Sequence, residues 1–144
     1  MLTIVAIFLV CCIGCRRGSS TDFATTHNAE AYFKSLEASH GYEVIGCSHS
    51  SGCNSPRSSQ GFCITIKGDK SLYNTLMHEY RSHVRNELQK SGVTIYSEGI
   101  TSGQISGFEF CYHGSGVSGV VIVRSVIDIN KNIDIDVFIY EHGS

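Results

Sequence analysis

The sequence predicts an α+β fold, a single twisted antiparallel sheet of about five or six strands with two helices packed on one face. Three observations predict it. Segments 29–39 and 71–90 repeat their apolar residues at helical spacing. Six shorter segments alternate, or run apolar, as strands do. The last three strands follow one another through short turns, as in an antiparallel meander.

The first helix is drawn by Ala29, Tyr32, Phe33 and Leu36, which fall at i, i+3, i+4 and i+7. Asn28 or Thr26 offers the side-chain oxygen of an N-cap, and Gly41 suits the left-handed position past the end. A strand follows from Tyr42, then a polar loop over 48–61. In 62–67, Phe62, Ile64 and Ile66 face one way and Cys63 and Thr65 the other. Asp69 is placed to cap the longer helix, whose stripe is Leu72, Leu76, Tyr80, Val84 and Leu88, widened by Tyr73 and Met77 and ended by Gly92.

Strands are then expected over 93–97, 105–113, 117–128 and 132–142. The last alternates most clearly: Ile133, Ile135, Val137 and Ile139 point inward, while Asn132, Asp134, Asp136 and Phe138 point outward. Such alternation implies a second sheet face that is partly wet. Residues 113–116 and 130–132 carry tight-turn chemistry, and 97–107, rich in glycine and hydroxyls, reads as a mobile loop of the kind that often carries binding.

At 144 residues, 42% hydrophobic and 17% charged, the chain can fill one core, which excludes wholesale disorder. A net charge of −2 and the lack of a long basic run exclude the electrostatic footprint of a nucleic-acid binder.

The amino terminus is a separate matter. Leu2 to Gly14 carries no charge. As a helix it would reach about 20 Å, short of the roughly 30 Å of a bilayer core, and it fits the apolar region of an export signal. Its end, "CIGC" at 12–15, resembles the lipobox of a bacterial lipoprotein signal peptide. The resemblance implies removal of 1–14 and lipidation of Cys15, which would hold the rest of the chain to a membrane of the cell envelope, outside the cytoplasm. The polar, small residues that follow read as a flexible tether over 15–28, leaving a single domain over 29–144. A plain secretory signal cut later, an uncleaved anchor, and a metal or disulfide cluster of Cys11, Cys12 and Cys15 stand as alternatives. The last has neighbouring cysteines pointing in awkward directions.

An exported domain meets an oxidising compartment, so Cys47, Cys53, Cys63 and Cys111 are disulfide candidates. The expected pairs are Cys47–Cys53, clipping the loop, and Cys63–Cys111, joining two strands from a shared face. No metal is expected. His49 and His113 are the weak candidates, because the cysteines around them lack a Cys-x₂-Cys knuckle. His78 and His83 miss the His-Glu-x-x-His spacing by one residue and read as a solvated helix flank. Cys111 and His113 share a strand face but lie roughly 6.5–7 Å apart along it, far for a nucleophile and its base. Asp128, Asp134 and Asp136 read as a solvated strand face rather than a calcium loop.

With no catalytic residue and no cofactor expected, the sequence points to a non-catalytic binding or envelope-structural role. Membrane lipid and an envelope protein are the expected partners, and nucleic acid is not. The competing readings are a small extracytoplasmic enzyme, its site gathered around His49, Cys53 or His113, and a subunit of an envelope assembly. An uncovered apolar sheet face carrying Phe138 and Tyr140 would mark the latter.

Overall fold

A computed structural model of the chain describes residues 23–51, 58–101 and 105–143. In order come α1 (Phe23–Thr26), α2 (Ala29–His40), β1 (Glu43–Ser51), β2 (Ser58–Lys67), α3 (Leu72–Lys90), β3 (Thr94–Thr101), β4 (Ile105–Gly114), β5 (Val117–Ile127) and β6 (Ile133–Gly143). The fold is α+β: one six-stranded sheet, ordered β1-β2-β6-β5-β4-β3, with every neighbouring pair antiparallel. α3 carries the chain from β2 to the far edge at β3, and β3 to β6 return as a meander until β6 meets β2.

Local chemistry sets these elements. Asn28 caps α2 by accepting the amide of Ala31 at 3.0 Å, and Gly41 closes it with φ +69°. Asp69 acts one turn earlier than expected. Its carboxylate accepts from the Ser71 amide at 2.7 Å and its carbonyl from the Leu72 amide at 3.0 Å, so the tight turn before α3 is held and the helix starts at Leu72. The β5–β6 turn is pinned by Asp128, which accepts from the Asn132 amide at 2.7 Å and from its side-chain amide at 3.2 Å. That is a structural use for the first member of the acidic group.

The three described helices lie on one face. Ile64 and Ile66 of β2, Ile133 to Ile139 of β6, Val121 and Val123 of β5, and Phe108, Phe110 and Tyr112 of β4 form the buried rows beneath them. Leu76, Tyr80, Val84 and Leu88 of α3 and Ala29 and Phe33 of α2 close the core from above. The alternation read from 133–139 is therefore the pattern of a central strand.

Three expectations are revised. Residues 23–28 are not tether, because Phe23 and Ala24 in α1 and His27 just after it are buried. The polar stretch 48–61 is largely hairpin. β1 runs on to Ser51 and β2 starts at Ser58, since antiparallel pairing uses main-chain groups that serine and glycine supply as well as valine does. For the same reason the stretch expected as a mobile loop, 97–107, is strand to Thr101 and again from Ile105. Residues 52–57 and 102–104 lie outside the described set.

One row of the core has an unusual make-up. Tyr112, Gly119 and Glu141 stand opposite one another on β4, β5 and β6. The tyrosine ring crosses over Gly119, and its hydroxyl donates to Glu141 Oε1 at 3.0 Å. The carboxylate is 1% exposed and also accepts the Ala24 amide at 3.4 Å, which ties α1 to the sheet. A Cβ on Gly119 would stand 2.5 Å from the tyrosine ring and hydroxyl and 2.7 Å from the Tyr140 carbonyl oxygen. Gly119→Ala is expected to push the ring aside and cost about 1–3 kcal/mol, measured as a lower urea midpoint.

Candidate functional site

Two regions bring chemistry-bearing residues together. The first depends on an irregularity of β1. Val44 and Cys47 are three residues apart, so a plain strand would turn them to opposite faces. The pairing shifts between Val44 and Gly46, inserting one extra residue, and both side chains then pack toward the core. His49, two residues beyond Cys47, keeps that face and sets its ring against the edge of Phe62 at 5.0 Å. Above them lies the first turn of α2, carrying Glu30.

His49 Nε2 lies 2.8 Å from Glu30 Oε2 and 3.5 Å from Cys47 Sγ. One donor atom from each of the three residues falls within 4.8 Å of the others. Lys34, one turn along α2, pairs with the second oxygen of Glu30. Its hydrogen bond, then those of His49 and Cys47, hold the Glu30 carboxyl down at about 2. Burial, and next the hydrogen bond to Glu30, push the Cys47 thiol up to about 11. An activated nucleophile needs the opposite shift. Moreover one nitrogen of His49 meets both the thiol and the carboxylate, whereas a Cys–His–carboxylate relay uses both ring nitrogens. The three side chains converge their donor atoms on one another, and the thiol is shifted away from the thiolate.

Sequence reasoning singled out Cys47 and His49 and missed Glu30, whose partners lie on another element. Cys53 lies outside the described residues. The expected Cys63–Cys111 disulfide is not formed, and among the described residues Cys47, Cys63 and Cys111 are all free thiols. Cys63 and Cys111 do share the face away from the helices, as expected, but β6 and β5 stand between β2 and β4. Three strand spacings are about 14 Å, twice the roughly 7 Å reach of a disulfide. Cys111 instead sits 3.5 Å from Glu109 Oε1, and His113 lies against Tyr96 at 5.3 Å.

The second region is that same face, which none of the described helices covers. Val120 lies opposite Tyr140, and Ile122 opposite Phe138, along the central β5–β6 pair. Cys111 and Glu109 of β4 continue the two rows. Beside Phe138 a hollow of about 150 Å³ is lined by Ser48, Gly61, Cys63 and Asp136, and reaches past the sheet edge to His49 and Phe62. By the strand registers Glu43, Glu109, Asp134 and Asp136 belong to this face, against Lys67 and Arg124, so the apolar rows have an acidic surround. Asp134 is partly engaged, accepting the Thr65 hydroxyl at 2.8 Å.

Elsewhere polar side chains serve the fold. His78 is exposed, but His83 is turned inward and stacks on Tyr32 at 4.2 Å, so only one of the pair lies on a solvated flank. His27 meets the Tyr80 hydroxyl at 2.7 Å. A cleft of about 450 Å³ runs between α3 and the edge strand β3, past Arg85, Gln89, Tyr96 and Glu98, and none of the sequence candidates lines it. Among the described residues no helix is long and apolar enough to cross a membrane. The amino-terminal segment, with Cys11, Cys12 and Cys15, lies outside them. No family model, curated protein or solved structure matches this chain.

Proposed function

We propose that the chain is a lipid-anchored binding module of the bacterial envelope, non-catalytic, which holds a protein partner on the uncovered face of its sheet. The observation that carries this reading is the placing of Val120, Ile122, Phe138 and Tyr140 side by side on the two central strands, with no layer above them among the described residues. A sheet normally buries such rows against a second layer. The carboxylates around them favour a partner whose apolar contact surface is rimmed by lysine or arginine. The lipobox-like 12–15 supplies the anchor, and several long acyl chains at Cys15 would hold it firmly.

The two halves are tested separately. Intact mass of the membrane-extracted protein should show residues 1–14 gone and Cys15 acylated; a chain retaining those residues overturns the anchor. For the surface, Cys63 and Cys111 are native probes. In native membranes their maleimide labelling should be about tenfold slower than in the purified chain, since a covered thiol is inaccessible. Phe138→Asp should restore the fast rate without moving the urea midpoint. Equal rates in membranes and in pure protein overturn the binding face.

A further inference from the structure

We propose that Glu30, Cys47 and His49 form a zinc-binding site that clips α2 to the edge strand β1. The donor set is one thiolate, one imidazole and one carboxylate, the three ligand types zinc accepts. The geometry agrees with a single ion. Zinc–sulfur and zinc–nitrogen bonds of about 2.3 and 2.0–2.1 Å at a tetrahedral angle set the sulfur and nitrogen about 3.5 Å apart. Cys47 Sγ and His49 Nε2 stand 3.5 Å apart. Glu30 Oε2, now 2.8 Å from the same nitrogen, has to withdraw by about half an ångström to reach its own vertex.

The scaffold fixes the ligands from two sides. The β1 bulge places Cys47 and His49 on one face, Phe62 braces the imidazole, and α2 brings Glu30 across them. On binding, the thiol proton leaves to solvent, and the pair between Lys34 and the other oxygen of Glu30 is an interaction of small worth that ligation through Oε2 does not require to break. Three protein ligands leave the fourth position to water, which makes an exchangeable site rather than a closed structural one.

The test uses the reduced full chain in detergent, with zinc and cobalt chlorides as probes. One equivalent of zinc should bind and raise the melting temperature in proportion to the logarithm of free zinc. Cobalt should give a near-ultraviolet thiolate charge-transfer band and the strong visible absorption of tetrahedral coordination. Cys47→Ser should abolish the band, and His49→Gln and Glu30→Gln should each weaken zinc binding about tenfold or more. Cys63→Ser and Cys111→Ser, on the other face, should leave both unchanged. Absence of the charge-transfer band, or equal zinc affinity in wild type and Cys47→Ser, overturns the site. A circular dichroism spectrum and urea midpoint shared by all variants without metal assign any loss to ligation rather than to unfolding.

Discussion

Acidification from pH 6.5 to about 4 is expected to remove roughly 3 kcal/mol of stability, and His27→Phe to abolish most of that loss. His27 is 7% exposed, stacked on Phe23 at 4.9 Å and bonded to the Tyr80 hydroxyl, with the His83 ring 5.8 Å away. Burial first, and the His83 charge second, lower its pKa from 6.5 to about 4, while Glu87 opposes them weakly. The unfolded chain therefore takes up this proton at a higher pH than the folded one. The contribution is whole above pH 6.5 and is lost as pH falls toward 4. His83, also lowered by burial, acts in the same sense, whereas the lowered Glu87 carboxyl matters only below its usual 4.5. Urea titrations at pH 7, 5.5 and 4 measure the slope; an equal slope in His27→Phe would place its source elsewhere.

Tyr80→Ala is expected to cost about 3–5 kcal/mol, the largest single loss from one truncation in this core. The residue is fully buried at the middle of α3, and its ring meets those of His27, Tyr32, Phe33, His83 and Phe108. It thus joins α3, α2 and the residue that follows α1 to β4. Tyr80→Phe keeps the ring and removes only the hydroxyl, leaving His27 Nε2 without that partner, so its cost should be about 1–3 kcal/mol. A double-mutant cycle with His27→Phe should return a coupling of about 1 kcal/mol, because each change removes the same hydrogen bond. An additive result would mean that the ring contacts carry the whole effect.

Strand faces were legible in the sequence and strand order was not. Cys63 and Cys111 were rightly given one face because side chains alternate with period two. Adjacency depends on where α3 carries the chain, which no local pattern records. Glu141 continues the inward count of Ile133, Ile135, Val137 and Ile139, so its burial was written in the period but masked by its charge. Ends of strands built from Ser50, Ser51, Ser58 and Ser59 were read as loop, since their pairing is main-chain chemistry. The burial of α1 had no signal at all: four residues are too few for a helical period. Glu30 was missed because the bulge at Ile45, which turns Cys47 beneath α2, leaves no mark in composition.

The docking of Phe23 into the core also sets a length scale. If Cys15 carries the lipid as proposed, only residues 16–22 lie between the anchor and the packed chain. At 3.3–3.6 Å per residue the domain can stand no more than about 30 Å from its anchor. A module so tethered would work against the surface it is fixed to, within reach of lipid headgroups and neighbouring proteins in the same leaflet, and could not patrol a wider space.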